Sequence, residues 1–342
     1  MKRLLFLLLL LVLLSGISTL QAQEMVRPKS GDGIESLLRR HNRQGAQYRK
    51  EFLELNKGKF GKNNSLILER NYLLPPIHGN AGKPVAPSAT LSSSVSKKGY
   101  EPLFGKKEAN YEITSSELRG ATFYLVSGHG GPDPGAIGKM DKHELHEDEY
   151  AYDIVLRLAK SLLSKGATVH IIIQDALDGI RDDRILKNSK RETCMGKAIP
   201  LKQTERLKQR SDKINEIYRK SPKGYSRAIF IHIDSRSKHK QTDVFFYHSS
   251  SAASTRLANT MKKTFAQKYS THQPGRGFTG TVSERRLYVL RNTLPVGVYV
   301  ELGNIQNPFD QRRIVMKDNR QALAKWIAEA FVADYKQSGL KK

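Results

Sequence analysis

The chain has 342 residues, 38% of them hydrophobic and 27% charged, which excludes a wholly disordered protein and leaves room for one large domain or two modest ones. Lysine and arginine number 58 against 33 aspartates and glutamates, a formal charge of +25. That excess points to an anionic partner, whether nucleic acid, a membrane surface or an acidic wall polymer.

Residues 1–23 open the chain with Lys2 and Arg3, an unbroken apolar run from Leu4 to Leu14, and then small and polar residues. This is the pattern of a secretory signal peptide, with cleavage expected near Ala22 or Gln23. The run is shorter than the roughly 20 residues a spanning helix needs, and no later stretch is long enough. The expected product is an exported bacterial protein, periplasmic or cell-wall associated, without a stable membrane anchor. Export in turn argues against a nucleic-acid partner. The single cysteine, Cys194, has no partner for an intrachain disulfide, so the fold must rest on its core.

Residues 24–76 read as a small α+β module. A turn signal, Gly31-Asp32-Gly33, precedes a helix carrying Ile34, Leu37 and Leu38. A second helix carries Tyr48, Phe52 and Leu55 and ends at Asn56. Leu66–Leu68 and Tyr72-Leu73-Leu74-Pro75 read as a strand closed by proline, and a weak first strand lies around Met25-Val26-Arg27. A unit of this length with a GD turn, a helix, an FxxLN-like segment and a final apolar strand resembles a LysM module. The resemblance implies binding to glycan chains that contain N-acetylglucosamine.

Residues 77–117 read as a linker, rich in Gly, Pro, Ala, Ser and Lys at its start. From 118 to 338 apolar β-type runs alternate with amphipathic helices. The expected strands are Thr122–Val126, Thr168–Ile173, Ala228–Ile233, Asp243–Tyr247 and Val296–Glu301. The expected helices are Asp148–Ser164, Thr204–Arg219, Ser254–Lys268 and Asn319–Tyr335. In the first helix Ile154, Leu158 and Leu162 share one face, and Gly166 stops the segment before the next strand. The order predicts an α/β fold, a mostly parallel sheet flanked by helices with its site beyond the strand ends.

Acidic and imidazole groups gather at those ends. His129 follows the strand TFYLV within Ser127-Gly128-His129-Gly130-Gly131-Pro132-Asp133-Pro134-Gly135-Ala136, where the glycines allow a sharp turn. His143-Glu144-Leu145-His146-Glu147-Asp148-Glu149 is read as the start of the first long helix, where carboxylates are favoured. His232 ends the strand AIFIHID and Glu301 ends VGVYVEL. Two histidines and a glutamate from separate termini, with a second glutamate nearby, is a composition zinc hydrolases use. Three protein ligands leave a position for water, and an unligated carboxylate can move its proton.

Taken in order, HGGPDPGA, the helix-opening glutamate, IFIHID and VYVELGNIQNP resemble the zinc-dependent N-acetylmuramoyl-L-alanine amidases over residues 118–336. The resemblance implies Zn2+ bound by His129, Glu147 and His232, with Glu301 as catalytic base. Glu144 and Glu149 compete with Glu147 for the second ligand. Gln203–Asn215 matches the family's L-x-x-R-x-x-x-A/I-N helix through Leu207, Arg210, Ile214 and Asn215, and places Arg210 in structural hydrogen bonds beneath the site. The segment YVLRN matches the LxVLR run before the final strand, with Arg291 facing an acidic peptide or a structural ion pair. Ser127, Asp234 and Asn304 depart from the family pattern and alter the shape of the groove.

The implied reaction is hydrolysis of the amide between N-acetylmuramic acid and L-alanine in peptidoglycan, in wall remodelling or daughter-cell separation. Two alternatives stay open: a peptidoglycan-binding protein without turnover, and a zinc peptidase acting on the stem peptide. The polar insert 175–203 has DG and CMG turns and belongs to a class of long loops that often serve as functional lids, but its own sequence assigns it no role. Some relatives are covered by an inserted helix until a partner removes it, which leaves a protein activator open as a partner. The basic excess then reads as affinity for an acidic wall polymer rather than as part of catalysis.

Overall fold

A computed structural model describes residues 24–28, 32–43, 45–61, 64–76, 97–222 and 224–339. The expected signal peptide and the glycine- and proline-rich start of the linker lie outside the described residues. No helix among the described residues is long and apolar enough to cross a membrane. The chain divides into two units, Met1–Leu91 and Ser92–Lys342.

In the first unit β1 (Met25–Val26) pairs antiparallel with β2 (Tyr72–Leu73), bringing its two ends together around α1 (Ile34–Arg40) and α2 (Ala46–Leu55). Leu37, Leu38, Phe52, Tyr72 and Leu74 form its core. Asn56 ties helix to strand: its side chain donates to the Phe52 and Leu73 carbonyls and accepts from the Leu73 amide. Leu66–Leu68 is not a strand. The Tyr72 hydroxyl accepts from the Ile67 amide and donates to the Lys59 carbonyl, and the chain turns at Leu68 and Glu69 instead.

The second unit starts earlier than composition suggests. Residues assigned to the linker form an antiparallel hairpin, β3 (Lys97–Tyr100) with β4 (Asn110–Ile113). Its loop is tied down where Lys160 reaches Glu108 at 2.7 Å, and Phe104 is buried in the main core. The rest follows as β5 (Thr122–Ser127), β6 (Ile137–Met140), β7 (His143–His146), α3 (Glu147–Leu163) and β8 (Thr168–Ile171). After these come β9 (Ile173–Gln174), β10 (Thr193–Cys194), β11 (Lys197–Ala198), α4 (Gln203–Lys220), β12 (Ser226–Asp234), β13 (Phe245–His248) and α5 (Ala252–His272). The chain closes with β14 (Thr281–Glu284), α6 (Tyr288–Asn292), β15 (Val296–Asn304), α7 (Pro308–Val315) and α8 (Lys317–Gln337).

Six strands form the central sheet in the order β14-β13-β15-β12-β5-β8. All neighbours are parallel except β13 with β15. The expected α/β class, mostly parallel and flanked by helices, is therefore the observed one. Along β5, Phe123 and Leu125 face one side and pack with Ile154 and Leu158 of α3, Phe265 of α5 and Phe331 of α8. Tyr124 and Val126 face the other side and pack with Ile214 of α4 and Val289 and Leu290 of α6. With both faces covered, the central strands read as continuous apolar runs. His232 shares the face of Ala228 and Phe230 on β12, so it emerges on the α4 side at the carboxyl end of the sheet.

Two expectations about the middle of the chain are corrected. His143–His146 is not the head of a helix but a strand, because its alternating residues pair with Ile137–Met140 in a hairpin; the helix begins at Glu147. Thr168–Ile173 is not one strand: after Ile171 the chain swings so that Ile173 and Gln174 pair with Cys194 and Thr193 in a separate three-stranded sheet.

Candidate metal centre

His129 leaves β5 on a left-handed backbone, φ 56°, an unusual state for a residue with a side chain that costs on the order of 1–3 kcal/mol. The surroundings hold it there. Arg210 Nη2 donates to the His129 carbonyl at 3.1 Å, and the Gly130 amide donates to the Asp133 carbonyl at 2.8 Å. The Asp133 carboxylate lies 2.7 Å from His129 Nδ1, which orients the ring so that Nε2 lies 3.3 Å from Glu147 Oε2.

Glu147 is the first residue of α3, where the exposed helix amides favour an anion. Its Oε2 accepts from the Ala136 amide at 2.8 Å and its Oε1 from the Ile233 amide at 3.0 Å. The same Oε1 lies 2.8 Å from His232 Nδ1. His129, Glu147 and His232 thus each offer one ligand atom, all within 4.8 Å of one another. Neither competing glutamate joins them. Glu144 is exposed on β7 beside His146 at 3.4 Å, and Glu149 is buried against Arg181 at 2.8 Å and the Ser189 amide.

Burial alone would lower the His129 imidazole, but the carboxylates of Asp133 and Glu147 outweigh it and raise it to about 10. Burial likewise pulls Glu147 up, and its bonds to the two imidazoles overcome this and hold it well below the usual range. His232 is pushed down by burial. Two imidazoles and a carboxylate converging in a buried pocket, with Asp133 holding the far nitrogen of one ring, is a donor set that fits zinc.

Glu301 is the register partner of His232 across the parallel pair β12–β15. Its Oε2 is buried and has no hydrogen-bond partner. Burial raises its carboxyl well above the usual range, and the neighbouring charges of Glu147 and Asp234 add to the effect. Tyr299, two residues earlier on the same face, stacks on the His232 ring with centroids 4.3 Å apart. A cavity of about 160 Å3 opens beside the histidines, lined among others by Arg206, Arg210, Tyr288 and Tyr299.

Several of these residues had no role in the sequence reading. Asp133 stood in a quoted motif, but only the fold shows that the turn returns it to His129. Asn304, marked as a departure, is fully buried; it donates to the Ser237 and Lys240 carbonyls and accepts from the Arg236 amide, shaping the loop beside Glu301. The insert 175–203 folds against the turn after His129, where Glu192 accepts from the Gly131 amide at 2.8 Å. Cys194 is buried in the smaller core. Arg291 is exposed and makes no ion pair among the described residues.

A family model described as N-acetylmuramoyl-L-alanine amidase matches residues 124–333. Among solved structures, the chain is similar to the N-acetylmuramoyl-L-alanine amidase from Clostridium difficile 630, at 20% identity and TM-score 0.48, over 66% of this chain and 100% of that one. It is similar to the catalytic domain of CwlV from Bacillus (Paenibacillus) polymyxa var. colistinus, at 20% identity and TM-score 0.46, over 65% and 99%. Cwp6 from Clostridium difficile matches at 19% identity and TM-score 0.45; 62% of this chain is covered, and the match spans only 28% of that one. No curated protein matches the chain. With the family model spanning well over half of its residues, from the third position of TFYLV into the last helix, the chain belongs to the N-acetylmuramoyl-L-alanine amidase family, and it is an enzyme of that class.

Proposed function

We propose that this protein is a zinc-dependent, exported amidase that cleaves the amide between the lactyl group of N-acetylmuramic acid and L-alanine in peptidoglycan. His129, Glu147 and His232 would hold the metal and Glu301 would act as the base. The observation that carries the reading is the convergence of those three ligand atoms within 4.8 Å, with Glu301 beside His232 on the adjoining strand. Zinc bound there would supply Lewis-acid polarisation of the scissile carbonyl and a more acidic water.

The chain's own groups divide the remaining work. Asp133 and Tyr299 hold the two imidazole rings in place, so little reorganisation is needed when substrate arrives. The free Oε2 of Glu301 takes a proton from the attacking water as the new carbon–oxygen bond forms. A carboxyl raised by burial keeps that proton and returns it to the nitrogen of L-alanine as the carbon–nitrogen bond breaks. The products are a lactyl carboxylate on an intact glycan strand and a peptide with a free amino terminus.

Residues 24–76 are proposed to be the LysM-like, glycan-binding part. The antiparallel pairing of its two ends around two helices supports that reading. The role would be wall remodelling or daughter-cell separation, with the basic excess giving affinity for an acidic wall. Digestion of purified peptidoglycan by the mature protein tests the reaction. Free stem peptides and uncut glycan strands are expected, and EDTA should stop their release. New reducing-end sugars as the sole product would rule the reading out.

A further inference from the structure

A row of ring contacts leads from the candidate metal centre across β12, β15 and β13 toward the edge strand β14. The ring of His129 lies 5.0 Å from that of His232, His232 lies 4.3 Å from Tyr299, and Tyr299 lies 6.0 Å from Tyr247 on β13. Tyr247 and Tyr299 are register partners, as are Phe245 and Glu301, so this row follows from the antiparallel β13–β15 pair. At its end the guanidinium of Arg285 lies over the Tyr247 ring at 4.9 Å.

Arg285 differs from an ordinary surface arginine in three ways. Its backbone amide donates to the His248 carbonyl at 3.0 Å, which fixes where the side chain starts. Its head rests on an aromatic face, a contact that favours one orientation of a long flexible side chain. It makes no ion pair among the described residues, and it is exposed. The neighbouring cation on this edge, Arg236, lies over Phe245 at 5.0 Å but is already paired with Asp234 at 2.5 Å. Arg285 is therefore a positioned cation whose charge is available, joined to the candidate metal centre through the ring contacts of Tyr247, Tyr299 and His232.

We propose that Arg285 is a specificity-determining residue that binds a free carboxylate of the substrate's peptide and selects acidic over amidated stem peptides. This rests on the amidase reading above. The chemistry of the substrate says which side of the scissile bond supplies the carboxylate. The lactyl carboxyl of the sugar is consumed in the amide, so the free carboxylates lie on the peptide. A guanidinium presents paired donors that match a carboxylate and lose that match when the group becomes a primary amide.

The test uses the full chain with zinc supplied and two synthetic N-acetylmuramyl tripeptides, one with free carboxyls and one with the same carboxyls as primary amides. For the unaltered protein kcat/KM should favour the free acid about tenfold, with the difference in KM. In Arg285→Ala this preference should collapse to within about twofold, and Arg285→Lys should retain part of it. A preference unchanged in Arg285→Ala, or none in the unaltered protein, would overturn the inference. Calorimetric binding of the free peptide acid and its amide to EDTA-treated protein separates this from failure of the amidase reading. If neither substrate is cleaved but the acid still binds about tenfold tighter than the amide through Arg285, the reaction is wrong and the subsite stands. Equal binding of acid and amide removes the subsite.

Discussion

Gly128 and His232 are in close register: a Cβ built on Gly128 would stand 2.3 Å from Cε1 of the His232 ring. The space that a side chain would fill after β5 is taken by an imidazole from β12. Gly128→Ala should therefore push the ring out of line with Glu147. We expect metal content to fall from about one per chain to well below half. The melting temperature should drop by no more than the few degrees that correspond to about 1–3 kcal/mol of overpacking. Full metal content in the alanine variant would show that the ring position is not what matters.

Asp133 touches His129 Nδ1 rather than the shared centre of the three ligand atoms. Removing such an orienting carboxylate typically lowers metal affinity about 10–100-fold. Asp133→Ala should show that loss in a competitive zinc titration while Glu147 and His232 still bind. Because Asp133 also pairs with Arg206 at 2.5 Å, Arg206→Ala is the useful control. It should leave zinc affinity within about threefold if the effect runs through His129.

Glu301→Gln keeps the shape of the side chain and removes its ability to take a proton. Turnover on peptidoglycan should fall by about 10^2–10^4, and zinc content measured on the same sample should stay at the level of the unaltered protein. Activity within a fewfold of the unaltered protein would remove Glu301 from the proton path.

Beneath the site, Asp153 is fully buried and accepts from Arg157 Nε at 2.8 Å, Arg320 Nε at 2.5 Å and the Arg181 amide at 2.8 Å. Arg320 is itself fully buried. Asp153→Ala leaves two guanidinium groups in the interior without their shared anion. Breaking a buried pair this way costs about 3–5 kcal/mol, and the network joins α3 to α8, so the loss should appear in global unfolding by urea. A change below about 1 kcal/mol would mean that solvent reaches these arginines.

The loop after α5 is held by Asp243, which accepts from the Thr279 amide at 2.6 Å and from Arg276 at 2.5 Å. Burial pulls this carboxyl up, but those donors outweigh it and leave it below its ordinary 3.8. A depressed carboxyl stabilises the fold above its unfolded value, and the contribution fades as pH falls through the lower folded value. Asp243→Asn should therefore be less stable than the unaltered protein at pH 6. The gap should narrow below about pH 4 in urea titrations. A gap that is constant from pH 6 to pH 3 would rule out this linkage.

Much of the fold was legible because the signals are local. The apolar run AIFIHID is a buried central strand, and the spacing of Ile154, Leu158 and Leu162 marks the helix that covers it. The motif around His129 was legible for the same reason, since its glycines announce a turn at a strand end. The short elements were not. β6 with β7, and β10 with β11, are hairpins of two to four residues, too brief for periodicity to show. The hairpin at 97–113 was hidden by its composition, KKGYEPLFGKKEANYEI, which reads as linker until Phe104 is seen in the core.

By itself the sequence determined the class of the fold and placed His129, His232 and Glu301 at strand ends, and the family resemblance named Glu147 as the third ligand ahead of Glu144 and Glu149. The strand ends follow from residue type and from patterns a few residues long. The tertiary structure decided which glutamate meets the histidines, that Asp133 orients one ring and Tyr299 the other, and that Arg285 stands at the end of the same row. Each of these depends on register between strands distant in the chain or on where a helix takes its first turn. Glu144 lies three residues before Glu147 on a strand, and Glu149 two residues after it on the helix, where two residues turn a side chain by about 200° without changing any local preference.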